Sequence, residues 1–272
     1  MYTAFTFPDV IKTNHKLKSV YLKREVELEI FMPDNLLGNE HVNLLLINDG
    51  QDLAQMDMER TLSALYQKWI IEPTVVIGVK AGAERILEYG IVGKPDFKKR
   101  GIKAKAYSEF ISKELMLFVE NEINVNINGK RAFAGFSLGG ITAFDIAWNH
   151  DNYFDIVGVF SGSFWWRKKD LSADYTDEDR IVHEMIRETE GKPDVKFWLM
   201  TGTNDETADR NHNFIIDSID DTIDVVKELL KKGYQRPNDI CYYEMVGGKH
   251  DVQTWAKAMP KFLEWAFGKT RI

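Results

Sequence analysis

The chain has 272 residues, 44% of them hydrophobic and 28% charged, with a formal net charge of −7. This is ordinary globular composition and excludes a disordered or fibrous chain, and an acidic balance without a basic stripe argues against nucleic acid as a partner. The one cysteine, Cys241, allows no intramolecular disulfide and gives no sign of an oxidising compartment.

The opening residues MYTAFTFPDV lack a basic segment followed by an apolar core, so they do not read as a signal peptide. No apolar run approaches the roughly 20 residues of a membrane span. The expectation is a soluble, cytoplasmic protein with no membrane contact. No repeat and no Gly/Ser-rich linker divides the chain, so residues 1–272 read as one domain.

In chain order, Ser19 to Met32 alternates loosely and reads as an antiparallel strand stopped by Pro33-Asp34-Asn35. Short continuous apolar runs then take over at 42–47, 75–79, 132–134, 156–160, 195–200 and 240–243. Runs of this kind suit strands buried on both faces, as in a parallel sheet. Between most of them lie segments of helical period. Tyr107, Phe110, Leu115, Phe118 and Val119 share one face. Ile219, Ile223, Val226 and Leu230 share a second, and Trp255, Met259, Phe262, Leu263 and Ala266 a third. The second of these helices is expected to start at Ser218, paired with Asp221 as a capping box, and to end at Lys231-Lys232-Gly233. The fold class is therefore α/β, a doubly wound and mostly parallel sheet with one or more antiparallel N-terminal strands and helices on both faces. Ligands of such sheets sit beyond the carboxyl ends of the strands, which directs attention to the residues after each apolar run.

After the run at 132–134 comes Gly135-Phe136-Ser137-Leu138-Gly139-Gly140, and Ile141 to Trp148 reads as helix. This is G-x-S-x-G between a strand and a helix. A sharp turn there lifts the serine hydroxyl clear of the backbone, and side chains at positions 135 and 139 would collide across it. The helix that follows points N–H groups at any oxyanion formed beside Ser137. The competing reading is a tight turn whose serine merely caps the helix.

A serine nucleophile needs a base within hydrogen-bond reach. His183 falls inside an apparent helix spanning 177–190 and reads as a surface residue. His212 sits in a polar loop. His250 follows the run at 240–243 and precedes the last helix, at the end of a strand, and is the expected base. Its alternative role is to cap that helix together with Asp251. The acid is expected after the run at 195–200, where Asp205 is preferred over Glu206 and Asp209. A turn-forming side chain is the alternative for Asp205. One oxyanion donor is the N–H of Leu138, and the second is that of Gln51 or Asp52 in the segment Asn48-Asp49-Gly50-Gln51-Asp52.

Taken together these pieces resemble the esterase D-like "putative esterase" family of α/β-hydrolases, which includes feruloyl esterases, enterochelin esterases and mycolyltransferases. Asp49-Gly50-Gln51-Asp52 resembles the family's D-G-Q segment, and residues 135–140 resemble its G-x-S-x-G-G elbow. Residues 160–166, FSGSFWW, resemble its F-S-G-S segment. Gly202-Thr203-Asn204-Asp205 resembles its G-T-x-D acid loop. Gly247-Gly248-Lys249-His250-Asp251 with Trp255 resembles its G-G-x-H-D…W loop. The ordered set covers about residue 42 to the end. The resemblance implies an α/β-hydrolase fold and a Ser137–His250–Asp205 triad. It further implies no required cofactor and hydrolysis of a small-molecule carboxylic ester. An acyltransferase with the same triad, or a non-catalytic binding module on the same fold, are the other readings.

Around this site, Asp52, Arg85, Trp165 and Trp166 are candidate substrate contacts. The two tryptophans either line the pocket or pack as lid and core. Arg85 either meets a substrate carboxylate or, as the preferred reading, pairs with Glu88 to order its loop. Lys94, Lys98, Lys99, Arg100, Lys103 and Lys105 form a basic loop that reads as a solvated face, with attraction of an anionic substrate as the alternative. Residues 209–220 place Asp209, Asn211, Asn213, Asp217 and Asp220 at the spacing of an EF-hand calcium loop. Phe214 stands where glycine is wanted, and Asp220 where a longer Glu is usual. Calcium is therefore one reading, an Asx-rich loop the other. Oligomeric state is not legible.

Overall fold

A computed structural model describes residues 9–34, 36, 41–123, 125–172 and 174–269. The segment read against a signal peptide is outside the described residues up to position 8, as is Asn35 of the expected strand stop.

Among the described residues one eight-stranded sheet runs in the order β1-β2-β4-β3-β5-β6-β7-β8. Its strands are β1 Val10–Ser19, β2 Arg24–Pro33, β3 Val42–Asn48, β4 Thr74–Val79, β5 Ile127–Phe136, β6 Ile156–Phe160, β7 Lys196–Asn204 and β8 Ile240–Lys249. β1 pairs antiparallel with β2 and β2 antiparallel with β4, and all later pairings are parallel. The strand expected over Ser19–Met32 is β2 from Arg24 on, and it pairs in a hairpin with β1, which precedes the expected stretch. The hairpin turn spans 20–23, with Lys23 at φ 54. β1 hides because it is an edge strand of mixed polarity, VIKTNHKLKS, with mostly half-exposed or exposed positions.

The apolar runs have the burial they imply. Every residue of β3 is buried. Leu44 and Leu46 enter one core and Leu45 and Ile47 the other, so the run carries two cores at once. Helices cover both faces: α1 Met58–Gln67, the short α2 Arg85–Glu88, α3 Ala104–Glu109, α4 Met116–Glu122, α5 Leu138–Asn149, α6 Ile181–Glu188, α7 Asp217–Lys231 and α8 Val252–Phe267. α1 and α8 pack on one face, and α3 to α7 on the other. Among the described residues, no helix is long and apolar enough to cross a membrane.

Two helices depart from the sequence expectation. Between α3 and α4 lies a π-helical stretch, Phe110–Leu115. Its wider turn brings Phe110 and Leu115, five apart, to the same buried face as Tyr107 and Val119; Phe118 is only partly buried. α7 begins at Asp217 without a side-chain cap, so Ser218 is inside the helix rather than its cap. Ile219 and Val226 of the expected face are buried, together with Asp221, Thr222, Val225 and Leu229, while Ile223 is only partly buried and Leu230 is 42% exposed. Gly233 at φ 98 ends the helix as expected.

Chain order reverses beside β3: β4 lies to one side of it and β5 to the other. The crevice past the carboxyl ends of β3 and β5 is therefore the topological switch point, where such sheets bind ligands.

Candidate active site

Ser137 stands at that switch point, between β5 and α5. Its backbone takes φ 53 and ψ −119, a conformation an L side chain rarely adopts and keeps only where the surroundings enforce it. They do so here. Ser137 N–H donates to the Phe160 carbonyl at 3.0 Å, and the Ser163 and Gly140 N–H groups donate to the Ser137 carbonyl at 3.2 and 3.1 Å. A Cβ on Gly135 would lie 2.3 Å from the Gly139 carbonyl oxygen, so only glycine fits beneath the elbow. Ser137 does not cap the helix with its side chain; its Oγ instead lies 3.2 Å from Ser163 Oγ.

The acid and base loops leave neighbouring strands, β7 and β8. A Cβ on Gly202 would fall 2.5 Å from the Gly248 backbone, so the glycines let the two loops touch. Asp205 is buried. Its Oδ2 accepts the Gly202 N–H at 3.1 Å, which is the turn-forming role, while its Oδ1 has no hydrogen-bond partner among the described residues. Burial raises the Asp205 pKa, against the Gly202 amide, the Ser161 hydroxyl and the positive charge of His250, which lower it. For His250, desolvation lowers the pKa, Asp205 opposes that, and Arg85 adds to it. The pair is therefore electrostatically linked, though no hydrogen bond joins them in this geometry; such bonds are often loose until substrate is seated. The His250 ring meets the Trp255 ring edge-on, with centroids 5.3 Å apart. Trp255 also stacks on Phe136 at 4.9 Å, and its Nε1 donates to Ser161 Oγ at 3.0 Å. Asp251, not His250, caps α8, through the Thr254 N–H at 2.8 Å. Glu206 is raised by burial and drawn down by the Ser218 amide, so it is turned toward the start of α7.

Leu138 is the first residue of α5. Gly50–Asp52 forms a 3-10 turn after β3. There the Asp52 N–H is taken by the Asp49 carbonyl at 3.0 Å, while Gln51 N–H has no acceptor among the described residues. That separates the two candidate donors. Asp52 itself is half-buried, and burial followed by the nearby Asp49 charge raises its pKa.

Other expectations need correction. Arg85 does not pair with Glu88. It grips Asp49 through Nε at 2.6 Å and Nη2 at 2.7 Å, and Glu88 belongs to Arg24 at 2.6 Å. Trp166 is fully buried, its Nε1 bonded to the Lys94 carbonyl at 3.0 Å, so it is core and not pocket wall. Trp165 is partly exposed under the Arg100 guanidinium, 4.6 Å from its ring centre. His183 is 1% exposed rather than on the surface; its Nε2 donates to the Asp221 carbonyl at 2.9 Å, and burial drives its pKa down to about 3. In the basic loop, Lys94 pairs with Glu184 and Glu188, Arg100 with Asp96 and Lys103 with Glu84.

In the loop read as a calcium candidate, the side chains are engaged with one another, with the backbone and with Arg210. Asp220 Oδ2 accepts the side-chain NH2 groups of Asn211 and Asn213 at 3.0 and 2.7 Å, so these amides turn nitrogen toward it. Asp209 is occupied by the N–H groups of Asn213 and Phe214, and Asp217 by Arg210. Among the described residues, no group of three or more His, Cys, Asp or Glu is arranged to hold a metal.

Residues 19–266 match the family described as "putative esterase". The chain belongs to that family. Among curated proteins, none matches it in sequence. Solved structures share its α/β-hydrolase fold at low identity. An enterobactin esterase from Shigella flexneri is 18% identical with a TM-score of 0.73, over 95% of this chain and 59% of that one. A ferulic acid esterase is 17% identical with a TM-score of 0.71, over 96% of this chain and 98% of that one. An IroE-like serine hydrolase from Shewanella oneidensis is 19% identical with a TM-score of 0.68, over 94% of this chain and 80% of that one. The chain thus spans about three fifths of the length of the enterobactin esterase. Membership of the family supports a hydrolase acting on esters.

What sequence reading passes over is the set of contacts among the site residues: Asn48 with Gly139 and Tyr107, Asp49 with Arg85, Ser163 with Ser137 and Ser161 with Trp255. The partners are distant in the chain, so no local spacing marks them. The left-handed Asp49, at φ 61 before a glycine, is the one local signal.

Proposed function

We propose that the protein is a serine esterase acting on a small-molecule carboxylic ester. Ser137 is the nucleophile, His250 the general base and Asp205 the residue that orients His250. Ser137 Oγ attacks the ester carbonyl as His250 takes its proton. The N–H groups of Leu138 and Gln51 bind the oxyanion. Collapse expels the alcohol, to which His250 returns the proton. Water then attacks the acyl-enzyme, again with His250 as base.

The observation that carries this reading is the left-handed backbone of Ser137, φ 53, at the switch point of the sheet. A strained serine held there by backbone hydrogen bonds has no structural purpose that a glycine would not serve better. Esters of the enterobactin and feruloyl kinds are the first substrates to try, because two neighbours of this fold carry those names. The partly exposed Trp165, next but one to Ser163, offers an aromatic surface for such rings.

Hydrolysis of p-nitrophenyl acetate and butyrate by wild type and Ser137→Ala tests the proposal. Turnover that falls at least about 10³-fold in the variant is expected. Equal rates in the two proteins would remove the nucleophile from the account.

A further inference from the structure

We infer that Asn48 and the Asp49–Arg85 ion pair are positioning residues that set the spacing between the two oxyanion-hole amides. The inference rests on the esterase reading above. Its two amides come from separate elements, Gln51 from the turn after β3 and Leu138 from the start of α5. Each donor must lie about 2.7–3.1 Å from the oxyanion, and an error near 1 Å is costly. Something must therefore hold the turn against the helix.

Two links do so. Asn48 Nδ2 donates to the Gly139 carbonyl at 2.8 Å, joining the end of β3 to the first turn of α5. The Tyr107 hydroxyl donates to Asn48 Oδ1 at 2.6 Å, which fixes which way the amide faces. The second link runs through Asp49, which is 2% exposed and left-handed at φ 61 and ψ 43. Its N–H donates to the Tyr89 hydroxyl at 3.2 Å. Its carboxylate is held by the two Arg85 bonds, and the guanidinium lies 4.9 Å from the centre of the Tyr89 ring. The Gln51 side chain is drawn into the same frame, donating to Asp49 Oδ1 at 3.2 Å and accepting the Ala81 N–H at 3.0 Å. A Cβ on Gly139 would fall 2.7 Å from Asp49 Oδ2, so turn and helix are in contact. This contact, rather than a clash across the elbow, is what excludes a side chain at position 139.

A largely buried ion pair is a poor source of stability. A two-bond guanidinium–carboxylate pair is a good source of geometry. Its place directly before the oxyanion turn is explained by the second property.

The test compares Asn48→Asp, Arg85→Lys, Arg85→Gln and Tyr107→Phe with wild type. For each, kcat and KM on p-nitrophenyl butyrate are measured together with inhibition by an aryl trifluoromethyl ketone, whose adduct with Ser137 places an oxyanion in the hole. The expected result is a kcat about 10–100-fold lower with KM within about 2-fold. Ketone affinity should fall in proportion to kcat/KM. Arg85→Lys keeps the charge but loses the fork, and should lie between wild type and Arg85→Gln. Tyr107→Phe removes one hydroxyl and keeps the ring, so it still reads the brace if the Arg85 variants do not fold. A raised KM with unchanged kcat would overturn the inference and make Arg85 a substrate contact. Lowered kcat with undiminished ketone affinity would overturn it too, as would unchanged kinetics throughout. Absence of Ser137-dependent turnover and of ketone inhibition in wild type would instead bring down the esterase reading, and this inference with it.

Discussion

At the scale of single residues, the chemistry depends on His250 being neutral when it meets Ser137. Desolvation lowers its pKa below the ordinary value of 6.5, Asp205 opposes the shift, and Arg85 adds to it. A base with a lowered pKa stays unprotonated further into acid. The acid limb of kcat/KM should therefore have its midpoint below pH 6.5, and Arg85→Gln, which removes a neighbouring cation, should move it upward. A pH–rate profile with its acid midpoint above 6.5 would contradict this. The candidate triad is legible in sequence because each member sits in a short motif at a strand end: Ser137 after 132–134, Asp205 after 195–200, His250 after 240–243. Arg85 is misread as a partner of Glu88 because the two are three apart in the chain. The buried Asp49, which holds it, is 36 positions away, a distance at which periodicity and spacing carry no signal.

Among the elements, α5 carries a carboxyl at Asp145 that has no place in the proposed chemistry. It is fully enclosed, accepts the Val92 N–H at 3.1 Å and the Asn149 side-chain amide at 3.1 Å, and burial pushes its pKa up to about 7. The unfolded chain would hold it near 3.8. Between about pH 4 and 7 the folded state thus keeps a proton that the unfolded state releases, so this group's contribution to stability declines as pH rises through that window. Asp145→Asn should flatten the decline by an amount on the order of a few kcal/mol, read as a smaller loss of melting temperature between pH 4.5 and 7.5 than in wild type. Parallel profiles would show that Asp145 does not titrate as described. The elements that are misread have local physical causes. β1 is polar because it is an edge. The α3–α4 helix spaces Phe110 and Leu115 by a π turn that a 3.6-residue period does not anticipate. α7 turns the polar Asp221 and Thr222 inward, where Asp221 meets Arg180 at 2.6 Å and Arg210 at 2.7 Å, so its apolar residues alone mark only part of the buried face.

For the whole molecule, the sheet is shared by two cores whose strand residues alternate between them, Leu44 and Leu46 against Leu45 and Ile47. Melting either face exposes the backs of the strands that line the other. We propose that the chain accordingly unfolds as one domain; a single calorimetric transition with equal calorimetric and van't Hoff enthalpies is expected, and two separable transitions would contradict it. The same sheet brings the ends of β3, β5, β7 and β8 to one rim, where the proposed chemistry requires one activated serine. The most direct test is the intact mass of the protein after treatment with a fluorophosphonate, followed by peptide mapping. A single adduct is expected, mapped to Ser137, absent from Ser137→Ala and slowed in His250→Ala. An unmodified protein, or an adduct on any other residue, would contradict the proposed chemistry.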